Sequence, residues 1–187
     1  MGIVVVGLNH KTAPVEVREK LAFNDKALPR ALLDLRERIP GAEAVILSTC
    51  NRVELYASSS DIEERLDDIT RFVAEFHKLA PEDFAPHLYR YHDEEAVRHL
   101  FSVACSLDSM VVGEAEVLGQ VKRAYMFAAE EGLTGKILNA LFQRAFGVAK
   151  NVRTCSTIGE RKVSVASVAV EFAEKIFRDF SDKADMI

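Results

Sequence analysis

Leu47-Ser48-Thr49-Cys50-Asn51-Arg52-Val53-Glu54-Leu55-Tyr56 joins two short apolar runs through a polar tetrapeptide. The run 44–47 reads as a strand arriving at that tetrapeptide, and 53–57 as a strand leaving it. On either side the pattern repeats. Residues 3–8 are strand-like, and 25–39 have helical spacing through Leu28, Leu32, Leu33 and Leu35. Residues 62–79 place Ile62, Leu66, Ile69, Phe72, Val73 and Phe76 on one helical face, and Leu88-Tyr89-Arg90-Tyr91 reads as a last short strand.

The resulting order, β-α-β-β-α-β, matches the split βαβ, ferredoxin-like motif, with residues 49–52 at its central β-β connection. From Asp93 onward the reading is helical. Asp93 is the expected N-cap, with Glu94 and Glu95 complementing the helix dipole in the first turn. Helices follow at about 116–131, closed by Gly132, at 136–153 and at 163–180. The predicted class is therefore α+β: a ferredoxin-like half over 1–92, a helical part over 93–158 and a C-terminal helix.

With 187 residues, 49% of them hydrophobic and 28% charged, the chain is long enough to bury a substantial core. No apolar stretch approaches the roughly 18 residues that span a bilayer. Met1-Gly2-Ile3-Val4 lacks the basic region of a signal peptide and reads as a first strand. Cys50, Cys105 and Cys155 are odd in number and far apart, which speaks against a disulfide framework. No C-x-x-C pair suggests zinc, and a reducing cytosol is the natural setting.

The net charge of −5 argues against general nucleic-acid affinity, yet the charge is unevenly distributed. Between residues 60 and 98 eleven acids face five bases; between 119 and 162 eight bases face three acids. Such a reversal marks either a basic patch on an acidic protein or helix faces that never converge.

Cys50, set between hydroxyls and an amide with a guanidinium two residues on, is placed to meet a ligand. Free cysteines are more often buried and inert, so position alone leaves both roles open. A catalytic thiol must be deprotonated or have its pKa lowered. Arg52 would favour the thiolate, or bind a carboxylate through its planar fork, or be an ordinary turn arginine. Alternation puts it on the same side as Cys50 if the backbone stays extended. Of His10, His77, His87, His92 and His99, the last lies on or beside a buried helical stripe, where a histidine is usually a hydrogen-bonded core group. His10 follows the first strand in a loop that would lie near the Cys50 turn. The stretch from Ser106 to Gln120 runs from a polar loop into a helix N-terminus, a place receptive to anions, although Glu114 and Glu116 would there favour an ammonium group.

Four blocks resemble, in order, the signatures of the glutamyl-tRNA reductase family: Gly7-Leu8-Asn9-His10-Lys11-Thr12-Ala13-Pro14-Val15, then Leu47 to Glu54, then Gly113 to Lys122, then Gly159-Glu160-Arg161-Lys162-Val163-Ser164-Val165-Ala166-Ser167. The resemblance covers essentially the whole chain. It implies that Cys50 attacks the ester joining glutamate to tRNA(Glu), giving a thioester that NADPH reduces to glutamate-1-semialdehyde for tetrapyrrole (porphyrin) synthesis. By the same likeness Thr49, Cys50, Asn51, Arg52, Ser109, Glu114, Ala115, Glu116 and Gln120 would form the glutamate site, and His99 would serve activity. A homodimer and a channelling partner, glutamate-1-semialdehyde aminomutase, are further implications. Two departures stand out. The family's usual Glu-Pro-Gln after Gly113 is here Glu114-Ala115-Glu116, and no G-x-G-x-x-G occurs to hold NADPH. Residues 1–158 are accordingly expected to form a catalytic and substrate-binding unit, and 159–187 a linker helix cut off before the NADPH-binding domain. The competing reading is a small-ligand or RNA-binding regulatory module in which Cys50 is incidental.

Overall fold

The structure, a computed structural model, describes residues 2–111, 113, 114 and 116–156. Ala115, the block 159–167 and the expected linker helix lie outside the described residues. Strand β1 (Gly2–Asn9) leads through the short helix α1 (Val15–Lys20) and α2 (Leu28–Arg38) to β2 (Glu43–Ser48). Strand β3 (Arg52–Ser59) follows, then α3 (Leu66–His77), β4 (Tyr89–His92), α4 (Asp93–Ala104), α5 (Glu116–Glu130) and α6 (Lys136–Cys155). The four strands form one sheet in the order β2-β3-β1-β4, antiparallel throughout.

The central strands are buried on both faces, which is why β1 reads as a near-continuous apolar run instead of an alternating one. In β3 the odd residues Val53 and Leu55 line a small cavity with Leu21, Phe23 and Val73. The even residues point to the later helices: Glu54 reaches His99 of α4, and the Tyr56 ring meets Phe142 of α6, centroids 5.5 Å apart. The helices after β4 thus pack onto the sheet and share its hydrophobic core, which runs from Val4 to Ala149.

Three local readings need correction. Asp93 is not an N-cap: it is the first residue of α4, with φ +41°, and its carboxylate accepts the Ile3 N–H at 3.0 Å, tying α4 to β1. Helix α2 starts three residues later than expected, because Asn24 Oδ1 accepts the N–H groups of Lys26 and Ala27 and holds them in a turn. Helix α1 went unforeseen; six residues are too few to show a periodicity. The stop at Gly132 is as read, with φ +69°.

Candidate active site

The polar tetrapeptide closes a tight hairpin. Thr49 N–H donates to the Arg52 carbonyl at 2.8 Å, and Thr49 Oγ1 accepts the N–H groups of Asn51 and Arg52, each at 3.2 Å. Cys50 and Asn51 are left as its two central residues, with the Cys50 thiol exposed. Outside contacts fix the tip: His10 N–H donates to the Asn51 carbonyl at 2.9 Å, and Arg18 Nε to the Cys50 carbonyl at 3.3 Å. The loop after β1 therefore does lie against the cysteine turn.

The turn also breaks the extended backbone on which a shared side for Cys50 and Arg52 depended. Both border one cleft, but Cys50 is exposed whereas Arg52 is only 2% exposed. Arg52 is no surface turn arginine. Its Nη1 donates to Glu54 Oε1 at 2.7 Å, and both terminal nitrogens reach Asp108 Oδ2 at 3.2 Å. Its Nη2 also donates to the Asp108 carbonyl. Glu54, fully buried, in addition accepts Tyr56 Oη and Tyr89 Oη at 2.5 Å and His99 Nε2 at 2.8 Å.

Burial alone pushes the Glu54 carboxyl up, but the His99 hydrogen bond and the Arg52 charge outweigh it and hold the pKa at about 2. Burial likewise raises Tyr56 and Tyr89, further raised by the Glu54 charge. Asp108 is held low: burial opposes ionisation, while Lys11 and Arg52 overcome it. Asn9 Nδ2 and Lys11 Nζ also donate to the Asp108 carboxylate, latching the loop that carries Ser109 to β1 and the turn after it.

The cleft, about 370 Å³, is lined by Thr49, Cys50, Asn51, Arg52, Ser109, Met110, Glu114, Glu116, Val117 and Gln120. All the described residues named from sequence for the glutamate site are thus gathered around one thiol. His99 is not among the lining; it connects to Arg52 through Glu54 and packs on Tyr89 and Tyr91, with ring centroids 5.3 and 4.8 Å away. Two cleft oxygens, Ser109 Oγ and Glu114 Oε2, are buried without a hydrogen-bond partner among the described residues. Burial, with Glu116 adding to it, raises the Glu114 pKa. Gln120 donates to Glu116 at 3.0 Å across one helical turn. A thiol beside an unsatisfied carboxylate and an unsatisfied hydroxyl suits a ligand with an electrophilic carbon and a cationic donor.

Residues 6–156 match the model of the glutamyl-tRNA(Glu) reductase N-terminal domain. The chain belongs to the glutamyl-tRNA reductase family. It is similar to glutamyl-tRNA reductases of Geobacter sulfurreducens (53% identity) and Geotalea uraniireducens (52%), over all of this chain and 43% of each relative. The Neisseria meningitidis glutamyl-tRNA reductase is 50% identical over 97% of this chain and 43% of its own length. The glutamyl-tRNA reductase structure from Methanopyrus kandleri superposes with a TM-score of 0.73 at 38% identity, over 92% of this chain and 39% of that one. The chain therefore spans less than half the length of the glutamyl-tRNA reductases it matches.

Sequence reasoning did not single out Glu54, Tyr89 or Asp108. Glu54 did leave a signal: a lone carboxylate in an apolar strand, two residues from Arg52 and hence on the same face. Asp108, 56 residues from Arg52, left none.

Proposed function

We propose that this chain is the acyl-accepting part of a glutamyl-tRNA reductase, with Cys50 as nucleophile. The Cys50 sulfur, as thiolate, attacks the carbonyl carbon of the glutamyl ester. A C–S bond forms, the ester C–O bond breaks, and the departing ribose oxygen takes up the proton that the thiol lost. One observation carries this reading: an exposed thiol at the hairpin tip shares its cleft with a Glu114 carboxylate oxygen that has no partner among the described residues. Glu114 would take the α-ammonium, relieving the cost of its buried charge, and Ser109 would satisfy a second polar group. Arg52 would take the substrate's carboxylate in exchange with Asp108, which now covers both its terminal nitrogens. His99 would act through Glu54 on the orientation of Arg52.

For the whole protein the reading is reduction of the thioester to glutamate-1-semialdehyde, the first step of tetrapyrrole synthesis, with NADPH supplying hydride when bound. The described residues do not fit that cofactor: their sheet is antiparallel and the sequence has no glycine-rich dinucleotide turn. The strand order β2-β3-β1-β4, with helices in both β-α-β crossovers, supports reading the first 92 residues as ferredoxin-like.

Acid-quenched mixtures of the chain with labelled glutamyl-tRNA(Glu) test the assignment. Label is expected on Cys50, retained in Cys105→Ser and Cys155→Ser and lost in Cys50→Ser. Label surviving in Cys50→Ser would refute the nucleophile. RNA binding with no transfer at all would favour the regulatory-module reading.

A further inference from the structure

Part of the basic surplus in the second half of the sequence converges: Lys122, Lys150 and Arg153 share one groove, with Arg144 beside it. Helix α6 carries Lys136, Arg144, Lys150 and Arg153 and no acid over its 20 residues. A groove between α5 and α6 gathers Leu118, Lys122, Gln143, Phe146, Lys150 and Arg153. Lys122 leans across it, its Nζ 5.8 Å from the Phe146 ring centroid. Along the adjoining face of α6, Arg144 and Asn151 line a second concavity with Gln143. Lys122, Arg144 and Lys150 are all exposed and form no ion pair among the described residues. The comparable groove between α2 and α3 is different: Lys26, Arg30, Arg38 and Lys78 are interspersed with Asp34, Glu37 and Glu75, and Arg38 is paired with Asp34 and Glu75.

The basic groove and the cysteine cleft lie on two flanks of α5 and are linked through Arg153 and Glu114. Val117 and Gln120 of α5 line the cleft, while Leu118 and Lys122 of the same two turns line the groove. At its other wall Arg153 donates to the Glu114 carbonyl at 3.1 Å, so the loop carrying the cleft's orphan carboxylate is pinned to α6.

We infer that the α5–α6 face is the docking track for the duplex end of an RNA whose 3′ terminus enters the Cys50 cleft. The inference rests on the acyl-accepting reading above. Unpaired exposed cations without neighbouring acids bind phosphates by counterion release, independently of sequence, which suits the helical stem of an RNA. Gln143, Asn151 and Thr154 add polar side chains along the same track.

The test uses a 12-base-pair RNA minihelix ending in single-stranded 3′-CCA, with fluorescence anisotropy at 50 and 200 mM KCl. Three phosphate contacts predict an affinity loss of about 40-fold between those salts. The variant K122Q/R144Q/K150Q is expected to bind at least tenfold more weakly at 50 mM, with a much flatter salt slope. A variant with equal charge removed from the other groove, K26Q/R30Q/K78Q, is expected to bind as the native chain does. Acylation of Cys50 by the glutamyl thioester of N-acetylcysteamine, which has no RNA part, is expected to persist in both variants and so reports folding and an intact cleft. Native-like RNA binding by K122Q/R144Q/K150Q, or equal weakening in the control, would overturn the surface whatever Cys50 does. RNA binding as expected without acylation by the small thioester would instead overturn the acyl-accepting reading and leave the surface standing.

Discussion

Glu114 combines two properties that pull against each other. Its carboxyl is buried with one oxygen unsatisfied, and burial, aided by Glu116, lifts its pKa. A carboxyl whose folded pKa lies above its unfolded one costs stability progressively as pH rises between the two values, and the cost persists above both. Glu114→Gln removes the ionisation, so it should raise the melting temperature at pH 7 and lose that advantage near pH 4. The same change should slow acylation of Cys50 by tenfold or more, since a charge-assisted hydrogen bond to an ammonium is worth about 1.5–3 kcal/mol. Thermal melts at the two pH values and single-turnover label transfer check both halves. A variant neither stabilised at pH 7 nor slowed would remove Glu114 from the site.

At the level of elements, the decisive contact is between β1 and β3. Gly7 pairs with Glu54, and a Cβ on Gly7 would sit 2.6 Å from the Val53 carbonyl oxygen and 2.8 Å from Glu54 Cγ. Glycine is needed here for close approach, because the Glu54 side chain crosses that space on its way to Arg52, Tyr89 and His99. Gly7→Ala should therefore destabilise the chain by about 1–3 kcal/mol through overpacking. It should also disturb the Glu54 network, so that acylation falls more than unfolding accounts for. Urea denaturation alongside transfer assays distinguishes this from a mere loss of strand propensity; a change under about 0.5 kcal/mol would show that the strands part at no cost.

Across the whole molecule, the buried network makes stability depend on acid. Glu54 has a folded pKa of about 2 against an ordinary 4.5. Its contribution is therefore complete above about pH 4.5 and is lost as pH falls towards 2, with Asp108 adding in the same direction. On the order of 3 kcal/mol should disappear over that window. Glu54→Gln should be less stable at pH 7 and show a shallower acid transition in chemical denaturation between pH 5 and 2. An unchanged slope would mean that Glu54 is not the group that titrates.

Much of this was legible without coordinates, because strands, helices and turns follow from periodicity and turn chemistry, which act between near neighbours. The apolar runs around Thr49-Cys50-Asn51-Arg52 by themselves determined a hairpin with a thiol at its tip. The motif blocks likewise determined the family and the residues that gather around one cleft. What tertiary structure alone decided is the company those residues keep. Arg52 turns inward because Glu54, two residues on, and Asp108, 56 residues away, both offer it a carboxylate. His99 stands behind the site because it meets Glu54 across 45 residues of chain. Lys122 of α5 and Lys150 and Arg153 of α6 line one groove because α6 packs beside α5. A buried charge needs a partner, and which partner depends on strand register and helix packing set by the whole core, information that no local stretch of sequence contains.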